Sequence, residues 1–497
     1  MTARVLMVQG TSSSAGKSLL VTGLCRLFKQ EGYRVAPFKA QNMALNSAAT
    51  PEGLEIGRAQ AVQAEAAGIE PAADMNPILL KPEEDNRCQV VVLGKPTETL
   101  RAQQYYERKR YLWEIVSASL ARLMERYDLV IIEGAGSPAE VNLRDSDLVN
   151  MRIALYVRAP VLLVGDIDRG GVFASLIGTL ELLQPEERSL VKGLVINKFR
   201  GDIKLLEPGI RFLEQRTSVP VLGTVPYLRN LLVSEEDSVA LDGMRPRSGL
   251  LDIAVIRLPH IANFDDFDLL GAEPAVGLRY VEDPLRLGRP DLVIVPGSKS
   301  TVSDLDSLRK SGLDRAIVAL ARCGTPILGI CGGYQLLGER ILDPGRVESN
   351  REETMGLGLL PATTTFTSDK RTVQVKARII EGSGLFSSII GEEISAYEIH
   401  MGMTMHGGRP LFELADGFDG CVVNDGLIMG TYLHGLFENR GVRSALISWL
   451  SERRGITIPE EWFDNPISRA AEYDRISECL RRHLDLKVLH RIVGLRE

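Results

Sequence analysis

Cys331 combines a reactive side chain with a local pattern that suits a nucleophile. It follows the short apolar run 326–330, which predicts a buried strand, and precedes Gly332 and Gly333, which open a helix-like segment. A thiol on such a turn lies near a helix N-terminus, whose dipole favours the thiolate. Small neighbours let the strained turn form and let a substrate carbonyl approach. We therefore predict that Cys331 is a nucleophile; the ordinary alternative is a buried core cysteine.

A thiol nucleophile needs a base, and His434 is the best candidate for it. The histidine follows an apolar run and precedes Gly435, so we expect it at the end of a strand. Its distance in sequence from Cys331 is uninformative, because such partners meet only in the folded protein. His400 and His406 are predicted to be structural, since His434 already supplies a base.

The segments GICGGYQ (329–335) and YLHGLFEN (432–439) resemble the class I glutamine amidotransferases attached to cobalamin-pathway synthetases. The resemblance implies that Cys331 attacks the side-chain amide of glutamine, releases ammonia, and forms a thioester that is hydrolysed with help from His434. Many relatives carry a glutamate two residues after the histidine, where this chain has Leu436, with Glu438 two residues further on. We expect Glu438 not to be a strong third member, and the third residue stays open.

The run 291–297 predicts another buried strand, at whose end the backbone can stabilise an anion. Gly297 and Ser298 follow this strand, and Gly332 follows the nucleophile. Backbone amides aimed at a developing negative charge stabilise the tetrahedral intermediate of acyl transfer. We therefore predict an oxyanion site made by Gly297, Ser298 and Gly332.

A second kind of chemistry is predicted near the N-terminus, where strand 5–8 is followed by the loop GTSSSAGKS (10–18) and a helical apolar pattern. Strand, glycine-rich loop, Lys-Ser and helix form a phosphate-binding arrangement, in which Lys17 reaches the terminal phosphate of ATP and Ser18 ligates Mg²⁺. Gly10, Thr11 and Gly16 supply the remaining loop positions. The loop has one residue more between its glycines than the common pattern, which resembles the dethiobiotin synthetase-like enzymes.

Other polar residues are predicted to lie beside this loop, because strand ends in an open α/β sheet face the ligand crevice. Glu133 closes the buried strand 128–133 and is the expected second Mg²⁺ ligand. Asn197 ends a further strand, and the resemblance implies that it contacts adenine. Lys39, Asn42 and Asn46 follow strand 34–38 and are predicted to bind the substrate; a solvated loop is the equal alternative.

Six motifs in order resemble those of the cobyric acid synthases in the cobalamin-pathway amidotransferase family. They are KAQNMALNS, EGAGSPAEVNL, GDIDRGGVFAS, NKFRGD, GICGGYQLLG and YLHGLFEN. The resemblance implies ATP- and glutamine-dependent amidation of the b, d, e and g carboxylates of adenosylcobyrinic acid a,c-diamide. One alternative is a different carboxylate substrate, as for the paralogous cobyrinate a,c-diamide synthases. Another is a regulatory or partitioning ATPase whose second domain only binds.

Length and composition predict the number of domains and the classes of partner. A chain of 497 residues predicts several domains. We expect an α/β fold: a P-loop, dethiobiotin synthetase-like doubly wound domain (1–233), a linker (234–250), a class I glutamine amidotransferase-like α/β domain (251–448) and a helical appendage (449–497). The net charge of −7 argues against a nucleic-acid partner, and no apolar run is long enough to predict a membrane partner. Scattered cysteines favour the cytoplasm, and a homodimer is a candidate assembly.

Overall fold

The computed structural model describes residues 3–82, 87–229, 231–232, 248–459, 462 and 467–495. The chain forms two compact units. The first unit contains Met1–Ala44, Ile56–Val233 and Arg469–Glu497, and the second contains Leu45–Glu55 and Ser234–Ser468. None of the helices within the described ranges is long and apolar enough to cross a lipid bilayer.

Strands alternate with helices along most of the chain. The strands are β1 (Arg4–Gly10), β2 (Val35–Phe38), β3 (Gln41–Met43), β4 (Ser47–Ala49), β5 (Glu55–Gly57), β6 (Ile78–Pro82), β7 (Arg87–Val92), β8 (Lys95–Arg101), β9 (Leu129–Glu133), β10 (Val161–Asp166), β11 (Val191–Phe199), β12 (Val221–Pro226), β13 (Leu251–Ile256), β14 (Ile261–Ala262), β15 (Val276–Val281), β16 (Leu292–Val295), β17 (Gly297–Ser298), β18 (Ile327–Ile330), β19 (Arg340–Leu342), β20 (Glu353–Met355), β21 (Ala362–Ile379), β22 (Glu393–His406), β23 (Phe412–Leu414), β24 (Gly417–Asp419), β25 (Cys421–Val423) and β26 (Ile428–Thr431). The helices are α1 (Lys17–Gln30), α2 (Arg58–Ala67), α3 (Ala102–Arg126), α4 (Met151–Val157), α5 (Val172–Leu182), α6 (Pro185–Leu190), α7 (Ile203–Thr217), α8 (Asp268–Ala272), α9 (Pro284–Leu287), α10 (Thr301–Ser311), α11 (Leu313–Arg322), α12 (Gly332–Leu337), α13 (Arg440–Arg454), α14 (Arg469–His483) and α15 (Leu486–Val493).

The first unit is built on a six-stranded sheet in the order β12-β11-β10-β1-β9-β2, with every neighbouring pair parallel. Its central strands are buried on both faces and read as continuous apolar runs, as parallel strands covered by helices do. The predicted doubly wound α/β fold is therefore confirmed. A smaller sheet in the order β3-β6-β7-β8 belongs to the same unit.

The second unit has a six-stranded sheet in the order β15-β13-β16-β18-β26-β25, parallel except for the last pair. A mostly antiparallel sheet built around the long strands β21 and β22 packs with it in one apolar core. The predicted nucleophile Cys331 follows β18, and the predicted base His434 follows the neighbouring strand β26. Because parallel strands end at the same edge of a sheet, this topology brings the two residues together.

The division of the chain differs from the expected one in two segments. The segment 449–497 is no single appendage, since Trp449 lies within α13 of the second unit whereas Arg469–Glu497 returns to the first. Ile476 and Leu480 of α14 pack against Gly23 of α1, so burial of apolar side chains holds α14 there. The second difference is Leu45–Glu55, which belongs to the second unit. Of the expected linker 234–250, positions 234–247 lie outside the described residues.

Candidate active site

Cys331 occupies the tight turn between β18 and α12 and has a strained backbone, with φ 52° and ψ −110°. Positive φ is unfavourable for a residue with a Cβ and persists only where the surroundings enforce it, often at functional sites. The two glycines after it leave no room for side chains: a Cβ on Gly333 would lie 1.8 Å from the carbonyl oxygen of Val295. The thiol is nearly buried, and its Sγ lies 3.6 Å from the carbonyl oxygen of Ile399.

His434 lies beside Cys331, as two observations show. A Cβ built on Gly297 would lie 3.3 Å from His434 Cε1 and 3.8 Å from Cys331 Cβ, so the glycine adjoins both residues. A hydrogen bond between His434 and Cys331 also contributes to the pKa of the imidazole. The histidine is 2% exposed, and its ring stacks on that of Tyr397 with 5.2 Å between centroids. The structure therefore brings the predicted nucleophile and base together.

Asp266 holds the other side of the imidazole. Its Oδ2 lies 2.7 Å from His434 Nδ1, and its Oδ1 accepts a hydrogen bond from the Gly435 amide at 2.9 Å. Because Asp266 occupies Nδ1, the Nε2 atom is left to face the thiol. The carboxylate lies on a 3-10 turn, Phe264–Phe267, that follows β14. A carboxylate that orients the imidazole from behind is the third part of a nucleophile–base–acid arrangement.

The electrostatics of this cluster favour an imidazolium. Burial lowers the pKa of His434, but the charges of Asp266 and Cys331 and the hydrogen bonds to both outweigh it and raise the pKa to about 10. A positive imidazole beside the thiol stabilises the thiolate, which is the nucleophilic form. The cluster therefore suits attack by Cys331 on a carbonyl carbon, with His434 as the proton donor to the leaving group.

Glu438 lies in the short 3-10 turn Leu436–Glu438 that follows Gly435. It is exposed, whereas Asp266 is 3% exposed and occupies Nδ1 of the imidazole. The expectation that Glu438 is not the third member stays a prediction, and Asp266 gives it a structural reason. Sequence reasoning missed Asp266, because its 168-residue separation from His434 gives no local signal. The acidic run NFDDFD (263–268) is the only feature of the sequence that points to this carboxylate.

The predicted oxyanion residues lie next to the nucleophile. Gly297 and Ser298 form β17, which pairs antiparallel with β14, and a Cβ on Gly332 would lie 2.7 Å from the Ser298 amide nitrogen. Ser298 is held by its hydroxyl, which donates to Asp304 Oδ2 at 2.6 Å. The structure therefore brings the three backbone segments to one place beside Cys331. Their role in binding an oxyanion stays a prediction.

The two histidines of β22, His400 and His406, each contact a backbone carbonyl oxygen through their Nδ1 atom. His400 Nδ1 lies 3.2 Å from the Gly402 oxygen, and its ring stacks on Tyr432 with 3.8 Å between centroids. His406 Nδ1 lies 3.1 Å from the Gly408 oxygen. These contacts agree with a structural role, which stays a prediction for both residues.

In the first unit, Lys17 folds back onto the loop between β1 and α1. Lys17 Nζ donates to the carbonyl oxygens of Ser12 at 2.9 Å and Gly136 at 3.1 Å. Gly16 has φ 97°, and a Cβ there would lie 2.0 Å from Asn197 Nδ2, so only glycine fits. Thr11 is fixed through its amide, which donates to Val164 at 2.9 Å. Gly10, Thr11, Gly16, Lys17 and Ser18 thus form one loop at the sheet edge, where loop amides and a helix N-terminus suit phosphate.

Glu133 connects this loop to two other elements. Its Oε1 accepts from the Ser18 hydroxyl at 2.8 Å and pairs with Lys39 Nζ at 3.1 Å, while its Oε2 accepts from Gln63 at 2.5 Å. Burial raises the pKa of Glu133, but Lys39 and the hydrogen bonds from Gln63 and Ser18 outweigh it and hold the pKa below its usual range. An ionised carboxylate beside a serine hydroxyl is the all-oxygen donor set that Mg²⁺ takes together with nucleotide phosphates. Ser18 and Glu133 thus offer two oxygen donors of the kind that Mg²⁺ takes, and Mg²⁺ binding stays a prediction.

The four remaining predicted residues do not form one cluster. Lys39 forms an ion pair with Glu133. Asn42 is buried, and its Nδ2 donates to Gln60 Oε1 at 3.1 Å. Asn46 belongs to the second unit, where its Oδ1 accepts from the Phe264 amide at 3.3 Å, so the run 39–47 is divided between the units. Asn197 braces the phosphate loop by donating to Ala15 at 2.9 Å. Substrate binding by the first three residues and adenine contact by Asn197 stay predictions.

Comparisons with known proteins agree with this division of chemistry. The family profile described as "CobQ/CobB/MinD/ParA nucleotide binding domain" matches residues 6–239, and "CobB/CobQ-like glutamine amidotransferase domain" matches residues 252–442. The chain is 52% identical to the cobyric acid synthase of Dehalococcoides mccartyi (strain CBDB1), over 99% of both chains. It is 53% identical to the cobyric acid synthase of Sorangium cellulosum (strain So ce56), over 100% of this chain and 99% of that protein. The chain therefore belongs to the cobyric acid synthase family of glutamine-dependent amide-forming ligases.

Proposed function

We propose that the protein amidates the b, d, e and g carboxylates of adenosylcobyrinic acid a,c-diamide, using ATP and glutamine, to give adenosylcobyric acid. The observation that carries the proposal is the pairing, in one chain of this family, of a Cys331–His434–Asp266 cluster with a phosphate loop. The intact cluster argues against an ATPase whose second domain only binds. Full-length identity to cobyric acid synthases does not favour a paralogous a,c-diamide synthase.

The glutaminase half-reaction uses the residues of the second unit. The Cys331 thiolate attacks the amide carbon of glutamine, and the oxyanion is stabilised by amides of the 297–298 and 332 segments. His434 donates its proton to the departing nitrogen, which leaves as ammonia, and then removes a proton from the water that hydrolyses the thioester. Asp266 keeps the imidazole oriented throughout. The products are glutamate, ammonia and the free enzyme.

The synthetase half-reaction uses the first unit. A corrinoid carboxylate attacks the γ-phosphorus of ATP, ADP leaves, and the acyl phosphate formed is attacked by ammonia to give amide and phosphate. Lys17 and the loop amides position the phosphates, so they act by orientation and charge. Ser18 and Glu133 would hold Mg²⁺, which neutralises phosphate charge when bound. Lys39 and Asn42 are proposed to approach the carboxylate, and a cytoplasmic location is proposed from the scattered cysteines.

Product mass tests the substrate assignment directly. Purified protein is incubated with adenosylcobyrinic acid a,c-diamide, ATP, Mg²⁺ and glutamine, and the corrinoid is analysed by mass spectrometry. We expect conversion of the four remaining target carboxylates to amides. A protein that leaves this corrinoid unchanged, but amidates cobyrinic acid at its a and c positions, would contradict the proposal and identify the paralogous activity.

A further inference from the structure

We propose that Asn46 and Asn263 are positioning residues of the glutaminase site, and that the segment Leu45–Glu55 is a built-in part of that site. The proposal rests on the glutaminase role of Cys331 and His434. Leu45–Glu55 is separated in sequence from the rest of the second unit by Ile56–Val233, yet it belongs to that unit. We call this segment the strap.

The strap is fixed by a buried ion pair. Glu55 is fully buried, and its Oε2 lies 2.5 Å from Lys370 Nζ on β21, whose side chain is 7% exposed. Its Oε1 accepts from the Ser47 hydroxyl at 2.7 Å, and Gln374 donates to the carbonyl oxygen of Ala49 at 2.8 Å. Removing one partner of a buried pair leaves an uncompensated buried charge, which strongly destabilises the folded state. The strap is therefore held firmly on β21.

The strap contacts the turn that carries Asp266. Asn46 is fully buried, and its Oδ1 accepts from the Phe264 amide at 3.3 Å. The Ser47 amide donates to Asn263 Oδ1 at 3.2 Å. Asn263 has φ 52° and ψ 41°, the left-handed conformation, and it begins the 3-10 turn in which Asp266 lies. Two hydrogen bonds from the strap thus stabilise a strained turn two or three residues before the carboxylate.

Asn263 also contacts the tyrosine whose ring stacks on the imidazole. Asn263 Nδ2 donates to the Tyr397 hydroxyl at 3.1 Å, and the Tyr397 ring stacks on His434. Backbone hydrogen bonds join Tyr397 to His434 in both directions, at 2.9 and 3.2 Å. Asn263 therefore connects the strap to both supports of the imidazole, the Asp266 turn and the Tyr397 ring. A displacement of a catalytic group by a fraction of an ångström is enough to slow a reaction severalfold or more.

The test uses full-length protein and measures glutamine hydrolysis without corrinoid, with ammonium-driven synthesis as a separate check of the first unit. The variants are Asn46→Ala and Asn263→Ala, with Glu52→Ala as the matched control, because Glu52 lies in the same strap and is exposed. We expect both asparagine variants to lower kcat about tenfold with a small change in KM, and the control to match wild type. For Asn263→Ala, ammonium-driven synthesis should stay unchanged, which shows that the first unit remains intact.

A pH profile separates positioning from a general loss of stability. The titratable groups that face the imidazole are Asp266, Cys331 and Tyr397. If the asparagines hold Asp266 on the imidazole, their removal should move the alkaline limb of the glutaminase profile to lower pH. Folded asparagine variants with wild-type kcat and an unmoved alkaline limb would overturn the proposal. That outcome is independent of which corrinoid the protein amidates, since no corrinoid is present.

Discussion

Asp266 is the residue through which we expect the reactivity of the thiol to be controlled. Its carboxylate fixes Nδ1 of His434 at 2.7 Å and leaves the opposite nitrogen for Cys331. Both side chains are 2% exposed, so their attraction is screened little by solvent. Leu436 stands two positions after the histidine and has no carboxylate, so we propose that Asp266 orients the imidazole in this chain.

Replacing Asp266 by Asn should lower glutaminase kcat/KM about a hundredfold or more, because the imidazole loses its orienting charge. The charge of Asp266 raises the pKa of His434, so its loss lowers that pKa from about 10. The alkaline limb of the pH–rate profile should therefore move to lower pH. Glu438→Gln is the control and should cost at most about tenfold, near 1.4 kcal/mol. A Glu438→Gln loss as large as that of His434→Ala would contradict this assignment.

The ion pair between His434 and Asp266 also contributes to folding stability, and the direction in which this contribution changes with pH can be measured. The folded-state pKa of His434 lies above its ordinary value of 6.5, so the pair stabilises the folded state fully below about pH 6.5. This contribution is lost as the pH rises through about 10. The difference in unfolding free energy between wild type and Asp266→Asn should accordingly shrink over that range. Denaturant unfolding at several pH values measures it, and a difference that grows with pH would refute the ion pair.

At the scale of elements, the tight turn after β18 depends on glycines that have no space for a side chain. Gly333→Ala places a Cβ against the backbone of Val295 and should destabilise the protein by about 1–3 kcal/mol or more. Gly271 in α8 has only ordinary contacts at 3.6 Å or more, so Gly271→Ala is the matched control and should be tolerated. Thermal unfolding of the two variants checks this, and equal stability would contradict the packing of the turn.

The sequence predicted these elements well where their signals are local. Apolar runs and adjacent glycines were enough to predict the β18 turn and the phosphate loop, because loop and helix chemistry depends on neighbours in sequence. The sequence did not predict that Asp266 contacts His434, that the strap belongs to the second unit, or that α14 packs in the first unit. Each of these depends on contacts across more than a hundred residues, such as Glu55 with Lys370 or Gly23 with Leu480. Pattern and propensity carry no information about such pairs.

For the whole molecule, we propose that ammonia release and carboxylate activation belong to different units. Lys17→Ala should abolish amidation from both glutamine and ammonium, since the γ-phosphate loses its positioning charge. Basal glutamine hydrolysis should persist, because Cys331, His434 and Asp266 belong to the other unit. Product formation and glutamate release are measured separately. An ammonium-driven rate equal to that of wild type would remove the phosphate loop from the mechanism.

The most direct test of this division is amidation by Cys331→Ala with each nitrogen source. Corrinoid amidation is measured with ATP and either glutamine or ammonium, for wild type and variant under the same conditions. We expect the variant to lose glutamine-driven amidation by several orders of magnitude, because covalent catalysis is removed, while ammonium-driven amidation stays close to wild type. Glutamine-driven turnover near the wild-type rate in the variant would contradict the account, because Cys331 would then not be the nucleophile.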